Sequence, residues 1–150
     1  MIYTPLTKKA MEIAYQAHHG QRDAGGTPYI FHVTHVAEQM EDEVTTCAAL
    51  LHDVVEDTEI TLQQLQQEFP REVTELVSLL TRAPKEDYFV YIERICGNEA
   101  AKRIKLADLA HNSDRSRLAD TALVSEEKQE IWRVRYEKAR KRLLEETEKF

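Results

Sequence analysis

The sequence predicts an all-α protein, a compact bundle of several helices. Apolar residues recur at intervals of three and four along most of the chain, as Ala10, Ile13 and Ala14 do near the start. No stretch has the pattern typical of a β-strand. Only four glycines and four prolines occur in 150 residues, and this composition favours a helix-rich globular protein over a disordered one.

Capping residues indicate where the predicted helices begin. Thr61, with Gln64 three residues later, has the form of a capping box. The expected N-caps are Thr4, Thr61, Asn98 and Ser125. The predicted helices cover about 5–19, 30–40, 42–57, 62–69, 70–81, 88–96, 99–112 and a long final segment from 126. Residues 113–124 are expected to be irregular, and we expect one domain over residues 1–150 because no linker interrupts the chain.

The charge balance does not favour a nucleic-acid-binding protein. Twenty Lys and Arg stand against twenty-seven Asp and Glu, a formal net charge of −7. The longest basic run, Arg140-Lys141-Arg142, lies among glutamates. Since non-specific binding to nucleic acid depends on a cationic surface, we expect no nucleic acid partner.

Neither the cysteines nor the apolar segments indicate secretion or a membrane. Cys47 and Cys96 are the only cysteines, and each lies beside apolar residues, as small core residues in a reducing compartment do. No apolar run approaches the roughly 18 residues of a membrane span, and no signal-peptide region is present. We therefore expect a cytoplasmic protein with no membrane partner; its oligomeric state is not predicted.

The most unusual stretch is Ala48–Thr58, which contains a histidine and three carboxylates. If it is helical, His52 and Glu56 share a face because they are four residues apart, and so do Asp53 and Asp57. A divalent cation would neutralise the carboxylates and take the imidazole as a ligand. The alternative is a solvated polar face that binds nothing.

A second polar group lies in Lys105–Asn112. Asp108 is a candidate carboxylate ligand, and Asn112, one turn later, is a candidate substrate contact. The alternative pairs Asp108 with Lys105 and leaves Asn112 as a helix end. His32 would supply a second imidazole, with His35 as its competitor. The remaining candidates are expected to be solvated or capping (His18 and His19), structural (His111), surface charges or phosphate contacts (Arg115 and Arg117), and a core or oligomer contact (Trp132).

Three ordered blocks resemble the HD superfamily of metal-dependent phosphohydrolases, and more narrowly the hydrolase domain of the RelA/SpoT alarmone enzymes and their small stand-alone relatives. The resemblance spans roughly residues 10–118. Its blocks are Gly20-Gln21 with Pro28-Tyr29-Ile30-Phe31-His32, then Ala49-Leu50-Leu51-His52-Asp53-Val54-Val55-Glu56-Asp57-Thr58, then Lys105-Leu106-Ala107-Asp108 with His111-Asn112.

The resemblance implies a helical bundle that holds one divalent ion, typically manganese. The implied ligands are His32, His52, Asp53 and Asp108. Glu56 and Asp57 match the acidic pair that helps to position and activate water, and Asn112 matches a substrate-contacting asparagine. The implied reaction is hydrolysis of the 3′-pyrophosphate of guanosine tetra- or pentaphosphate. Arg22 and Lys105 are further substrate-binding candidates.

The sequence departs from the family pattern at the positions of Asp23-Ala24, where the family commonly has Arg-Lys and the arginine helps to hold the base. Arg22 lies one residue earlier. The second hypothesis is therefore an HD phosphohydrolase that acts on another nucleotide or pyrophosphorylated substrate. The third is a non-catalytic module that binds a nucleotide or a protein.

Overall fold

A computed structural model of the chain describes residues 1–118 and 124–145. Its helices are α1 (Pro5–Ala17), α2 (Ile30–Glu38), α3 (Glu43–Leu51), α4 (Val54–Asp57), α5 (Leu62–Glu68), α6 (Arg71–Leu80), α7 (Tyr88–Cys96), α8 (Glu99–Asn112) and α9 (Glu126–Leu144). A short 3₁₀ helix covers Arg115–Leu118. Over the described residues the chain forms no strand beyond an isolated bridge between Arg22 and Pro28, so the all-α prediction is confirmed.

The capping signals position the helix starts as predicted. The side chains of Thr4, Thr61, Asn98 and Ser125 each accept a hydrogen bond from a backbone N–H of the first turn. The box between Thr61 and Gln64 is formed in both directions. Of the segment predicted to be irregular, residues 119–123 lie outside the described part, and much of the remainder is the 3₁₀ helix.

The prediction of one continuous helix over 42–57 is wrong. α3 ends at Leu51, and His52 and Asp53 separate it from the single turn of α4. The Nδ1 atom of His52 lies 2.5 Å from the carbonyl oxygen of Ala49, so the imidazole ring occupies an acceptor on which helix propagation would depend. Two other helices are shorter than predicted, since α1 ends before His18 and α2 ends before Gln39.

α3 is the centre of the hydrophobic core. Every residue from Thr45 to Leu51 is buried, and the helix packs against α1, α2, α6 and α8. Alanines at 48 and 49 let the neighbouring helices approach closely, while Leu50 and Leu51 fill the space between them. As a result the C-terminal end of α3 meets α2 and α8 inside the protein. Within the described ranges, no helix combines the length and hydropathy that a membrane span requires.

The loop between α1 and α2 is tied to the 3₁₀ helix by one aspartate. Asp23 accepts hydrogen bonds from the backbone N–H groups of Gly25 and Thr27, and its other oxygen lies 2.7 Å from Arg117. Gly25 itself packs on the carbonyl group of Arg117, where a Cβ atom would collide with the oxygen. Glycine is therefore required at this contact for space.

We predict that Gly25→Ala lowers the free energy of unfolding by about 1–3 kcal/mol, the usual cost of overpacking. Chemical denaturation measures this change. Gly97→Ala is the matched control, because a Cβ there meets no atom closer than 3.8 Å and its φ of −78° suits alanine. Equal stability of the two variants would contradict the close approach at Gly25.

Candidate metal centre

Four side chains from three helical segments bring their donor atoms together. His32 comes from α2, His52 and Asp53 from the break between α3 and α4, and Asp108 from α8. One nitrogen or oxygen from each lies within 4.8 Å of all the others. The Nε2 atom of His32 is 2.7 Å from Oδ1 of Asp108, while Nε2 of His52 is 3.0 Å from Oδ2 of Asp53. The four residues predicted as ligands therefore form one cluster.

The donor set fits a single divalent cation. Bonds of about 2.0–2.2 Å place neighbouring ligand atoms roughly 3 Å apart when they meet the ion at right angles. The separations in the cluster are 2.7, 3.0 and 3.3 Å, and a longer one of 3.9 Å joins His32 and Asp53. Two imidazoles with two carboxylates are a mixed set that suits borderline ions such as manganese, iron or zinc.

A neighbour fixes the ring orientation of each histidine in the cluster. The Nδ1 atom of His52 faces the carbonyl oxygen of Ala49, which can only accept, so this nitrogen carries the proton. The Nδ1 atom of His32 faces Nδ1 of His111 at 2.8 Å. Burial, followed by the charge of Arg117, lowers the pKa of His111 to about 4, so His111 is neutral and accepts. In this orientation Nε2 of each histidine contacts a carboxylate of the cluster and would be free to bind an ion that replaced that contact.

The structure places His35 outside the cluster. Its exposed ring stacks on His111 with centroids 4.0 Å apart. The choice between the two α2 histidines therefore favours His32, whose side chain is buried. His111 has the structural part expected for it, as the hydrogen-bond partner of a cluster residue.

Lys105 lies behind the cluster and neutralises it. Its ammonium group is 2.8 Å from Oδ2 of Asp108, and both side chains are buried. Burial opposes the ionisation of Asp108, but Lys105 and the two histidines outweigh it and hold the pKa of this carboxyl well below its usual value. Asp108 thus pairs with Lys105 and also belongs to the cluster. The two alternatives that the sequence left open for Asp108 are compatible.

The acidic pair lies at the solvent-facing edge of the cluster. Glu56 and Asp57, on α4, are exposed, and with Asp53 they form a second group whose oxygens lie within 4.8 Å of one another. Glu56 accepts a 2.7 Å hydrogen bond from the backbone N–H of Arg82. Partial burial, and then the charges of Asp53 and Glu56, raise the pKa of Asp57 to about 7. A carboxylate of this kind is a suitable proton acceptor near neutral pH.

A cavity of about 300 Å³ lies beside the cluster, between the α1–α2 loop and α9. The predicted substrate residues Arg22 and Asn112 line it, whereas Lys105 does not. Trp132, expected in the core or at an oligomer contact, is half-buried and forms part of the cavity wall. The principal lining side chains are Arg22, Tyr29, Asn112, Arg117, Trp132 and Tyr136.

Sequence reasoning missed Tyr29, which contacts the cluster, and it left Arg117 open between a surface charge and a phosphate contact. The hydroxyl group of Tyr29 donates to Oδ2 of Asp53 at 2.6 Å. Arg117 donates to Asp23 and also to Oδ1 of Asn112, at 3.3 Å. The position of Tyr29 three residues before His32 was a usable signal. The pairing of Arg117 with Asp23 spans 94 residues of sequence and has no local signal.

Comparison with known proteins agrees with this geometry. The sequence profile of the HD domain family matches residues 10–144, so the chain belongs to the HD domain family. The bifunctional (p)ppGpp synthase/hydrolase SpoT of Escherichia coli K12 is 37% identical over 120 residues, which cover 70% of this chain and 17% of that protein. A GTP pyrophosphokinase rsh of Brucella melitensis is 42% identical over 86 residues, covering 55% of this chain and 12% of that protein.

A solved structure described as a metazoan orthologue of SpoT that hydrolyses ppGpp has the same fold. It superposes with a TM-score of 0.84 at 27% sequence identity, over 96% of this chain and 88% of that one. By contrast, the chain spans only about a sixth of the length of the SpoT relative, since the match covers 17% of that protein. The resemblance to RelA/SpoT hydrolase domains is confirmed at the level of family and fold.

We predict that His111→Phe weakens divalent-metal affinity by about 10–100-fold, because loss of a ligand's hydrogen-bond partner typically has an effect of this size. Phenylalanine keeps an aromatic ring beside His35 but cannot accept a hydrogen bond from His32. Titration with manganese, followed by electron paramagnetic resonance, measures the affinity. His19→Phe, outside the cluster, serves as the control. Unchanged affinity in His111→Phe would show that His32 needs no such partner.

Proposed function

We propose that the chain is a single HD hydrolase domain over residues 1–150 that removes the 3′-pyrophosphate from guanosine tetra- or pentaphosphate. The observation that carries the proposal is the convergence of His32, His52, Asp53 and Asp108 one turn away from the acidic pair. A relative from Escherichia coli O157:H7 bears the name guanosine-3′,5′-bis(diphosphate) 3′-pyrophosphohydrolase and is 37% identical over 120 residues. The four clustered residues would hold one divalent ion, which we take to be manganese.

Each group in the site has a chemical part in this reaction. A divalent ion held by the cluster would supply a water of lowered pKa and polarise the phosphoryl oxygen. Glu56 and Asp57 orient the attacking water and accept its proton as its oxygen bonds to phosphorus. The bond between phosphorus and the ribose O3′ breaks and O3′ takes a proton, so guanosine tetraphosphate would give GDP and pentaphosphate would give GTP, each with pyrophosphate. A positioned proton acceptor is worth about 10²–10⁴ in rate.

The cavity beside the cluster suits the nucleoside part of the substrate. Trp132 and Tyr136 offer aromatic faces on which a base can stack. Asn112 donates its amide N–H to Asp108 at 3.3 Å and lines the cavity, so we expect it to contact the nucleotide between its base and its phosphates. Arg22 lines the same cavity and supplies positive charge for the phosphates. Lys105 does not line the cavity and acts indirectly, by neutralising the charge of Asp108.

The pairing of Asp23 with Arg117 supports a second candidate, an HD phosphohydrolase for another nucleotide. An aspartate stands where the related enzymes commonly have the base-holding arginine, and its carboxylate holds Arg117 at 2.7 Å. The guanidinium group beside Asp23 therefore belongs to Arg117, which lies on the 3₁₀ helix and lines the cavity. We expect this change in the source of the guanidinium group to favour a base other than guanine.

The decisive experiment follows the products of guanosine tetraphosphate by phosphorus NMR with added manganese. We expect pyrophosphate and GDP from the wild-type protein. Asp53→Ala should lose both metal and activity, whereas Glu56→Gln should keep the metal and lose about 10²-fold or more in rate. Failure of the manganese-loaded wild type to release pyrophosphate would overturn the alarmone assignment. A panel of other nucleotides then tests the second candidate.

We predict that Arg117→Ala raises KM by about tenfold or more with little change in kcat, since a lost hydrogen bond to a charged group costs about 1.5–3 kcal/mol. Arg115→Ala is the matched control, because Arg115 is exposed and reaches Glu130 only at 3.9 Å. Steady-state kinetics with the active substrate measure both variants. Equal KM values for the two variants would remove Arg117 from the binding site.

A further inference from the structure

The acidic pair, Glu56 and Asp57, lies on a helix that is too short to be stable by itself. α4 consists of four residues, Val54–Asp57, and its N-cap Asp53 makes no capping bond with its side chain. Its closing backbone hydrogen bonds run from the N–H groups of Asp57 and Thr58 to the carbonyls of Asp53 and Val54. Because helix nucleation is unfavourable, a single turn persists only when the surrounding structure supports it.

The α1–α2 loop supports both ends of α4. At the first end, the hydroxyl of Tyr29 donates to Oδ2 of Asp53 at 2.6 Å. At the second end, the side-chain amide Nε2 of Gln21 donates to the carbonyl oxygen of Asp57 at 3.0 Å. The two supports are themselves joined, since the backbone N–H of Tyr29 donates to the carbonyl of Gln21 at 2.9 Å. The loop therefore contacts α4 as one connected piece.

Hydrogen-bond logic fixes the amide of Gln21 in one orientation. The carbonyl of Asp57 only accepts, so the amide nitrogen of Gln21 must face it. The amide oxygen then faces Nδ1 of His18 at 2.9 Å and only accepts, so His18 carries its proton on Nδ1. His18 was expected to be solvated or capping; it is the C-cap residue of α1, and with 2% of its surface exposed it is not solvated.

The other ring nitrogen of His18 indicates that stability alone does not explain this residue. Nε2 is buried and has no hydrogen-bond partner among the residues that the structure describes. An unpaired buried acceptor destabilises a protein, and an apolar ring of similar shape would avoid this cost. The ring of His18 also packs on that of Tyr29, with centroids 5.0 Å apart. His18 thus contacts both residues that support α4.

We infer that Gln21 is a positioning residue for Asp57, and that His18 holds the Gln21 amide in the orientation this requires. The inference rests on the proposed function for the role of Asp57 in turnover. The mechanical part, that Gln21 holds the end of α4, stands on the contacts alone. Gln21 is not one of the clustered metal-binding candidates, so its loss should affect the rate without affecting the metal.

The test uses Gln21→Met, which keeps the side-chain length and removes the hydrogen bonds. We expect kcat to fall about 10–100-fold, because small displacements of a reacting group have effects of this size. KM, manganese content and melting temperature should stay close to wild type. Amide hydrogen exchange, read at Asp57 and Thr58, should be about tenfold or more faster, while the amides of α3 exchange as before.

Gln39→Met is the matched control. Gln39 also donates its side-chain amide to a backbone carbonyl, that of His35, but within its own helix end and away from α4. It should leave kcat and the exchange of α4 unchanged. His18→Phe keeps a buried ring but removes the donor to Gln21; we expect a smaller loss of kcat, about three- to tenfold, as for one neutral hydrogen bond.

The two readouts separate the possible failures. Wild-type exchange at Asp57 and Thr58 in Gln21→Met would overturn the inference whatever the substrate is. Faster exchange with an unchanged kcat would overturn the positioning role. A fall in melting temperature large enough to account for the loss of rate would overturn it as well. If the wild-type protein itself releases no pyrophosphate, the proposed function fails, and the exchange result still decides whether Gln21 holds α4.

Discussion

The structure depends on keeping a group of charges in the interior of a helical bundle. His32, His52 and Asp108 are almost fully buried, and Asp53 is nearly so. Moving such groups out of water is costly unless each finds a partner of opposite charge or a hydrogen bond. Within the protein, Lys105 supplies a positive charge to Asp108. A divalent cation bound by the cluster would neutralise the remaining negative charge. The packing of α2, α3 and α8 is therefore organised around electrostatic neutrality as much as around apolar burial.

The break between α3 and α4 follows from the same requirement. In a continuous helix, His52 and Asp53 would point about 100° apart, and only one of them could face α8. Ending α3 at Leu51 lets both side chains turn towards the cluster, where the imidazole nitrogen and the carboxylate oxygen are 3.0 Å apart. The α1–α2 loop then contacts both ends of the single turn that follows, through Tyr29 and Gln21. The interruption of the helix between α3 and α4 thus allows two adjacent residues, His52 and Asp53, to contact the same cluster.

The fold was largely predictable from the sequence, because its signals are local. Apolar spacing and capping residues such as Thr61 and Asn98 act within a few residues of their helices. The four candidate ligands were predictable because the motif blocks that contain them are contiguous. The break at His52 was not, since it results from a side chain competing for the carbonyl of Ala49. The burial of His18 and the cavity position of Trp132 were also missed, because both depend on which distant segments pack against them.

The pair of Asp23 and Arg117 places an oriented guanidinium group beside the cavity of a protein whose formal net charge is −7. Asp23 and Arg117 neutralise each other across a contact of 2.7 Å, so together they add no charge but fix a guanidinium plane at the cavity wall. A planar, oriented guanidinium recognises a base edge or a phosphate through paired donors, which a mobile cation does less selectively. The carboxylate of Asp23 and the backbone carbonyl of His111 each accept a hydrogen bond from the guanidinium, so fewer of its N–H groups are left for a ligand. The acidic residue therefore restricts the geometry of the guanidinium group, and under the proposed function the preference for a base would depend on the Asp23–Arg117 pair and not on either residue alone.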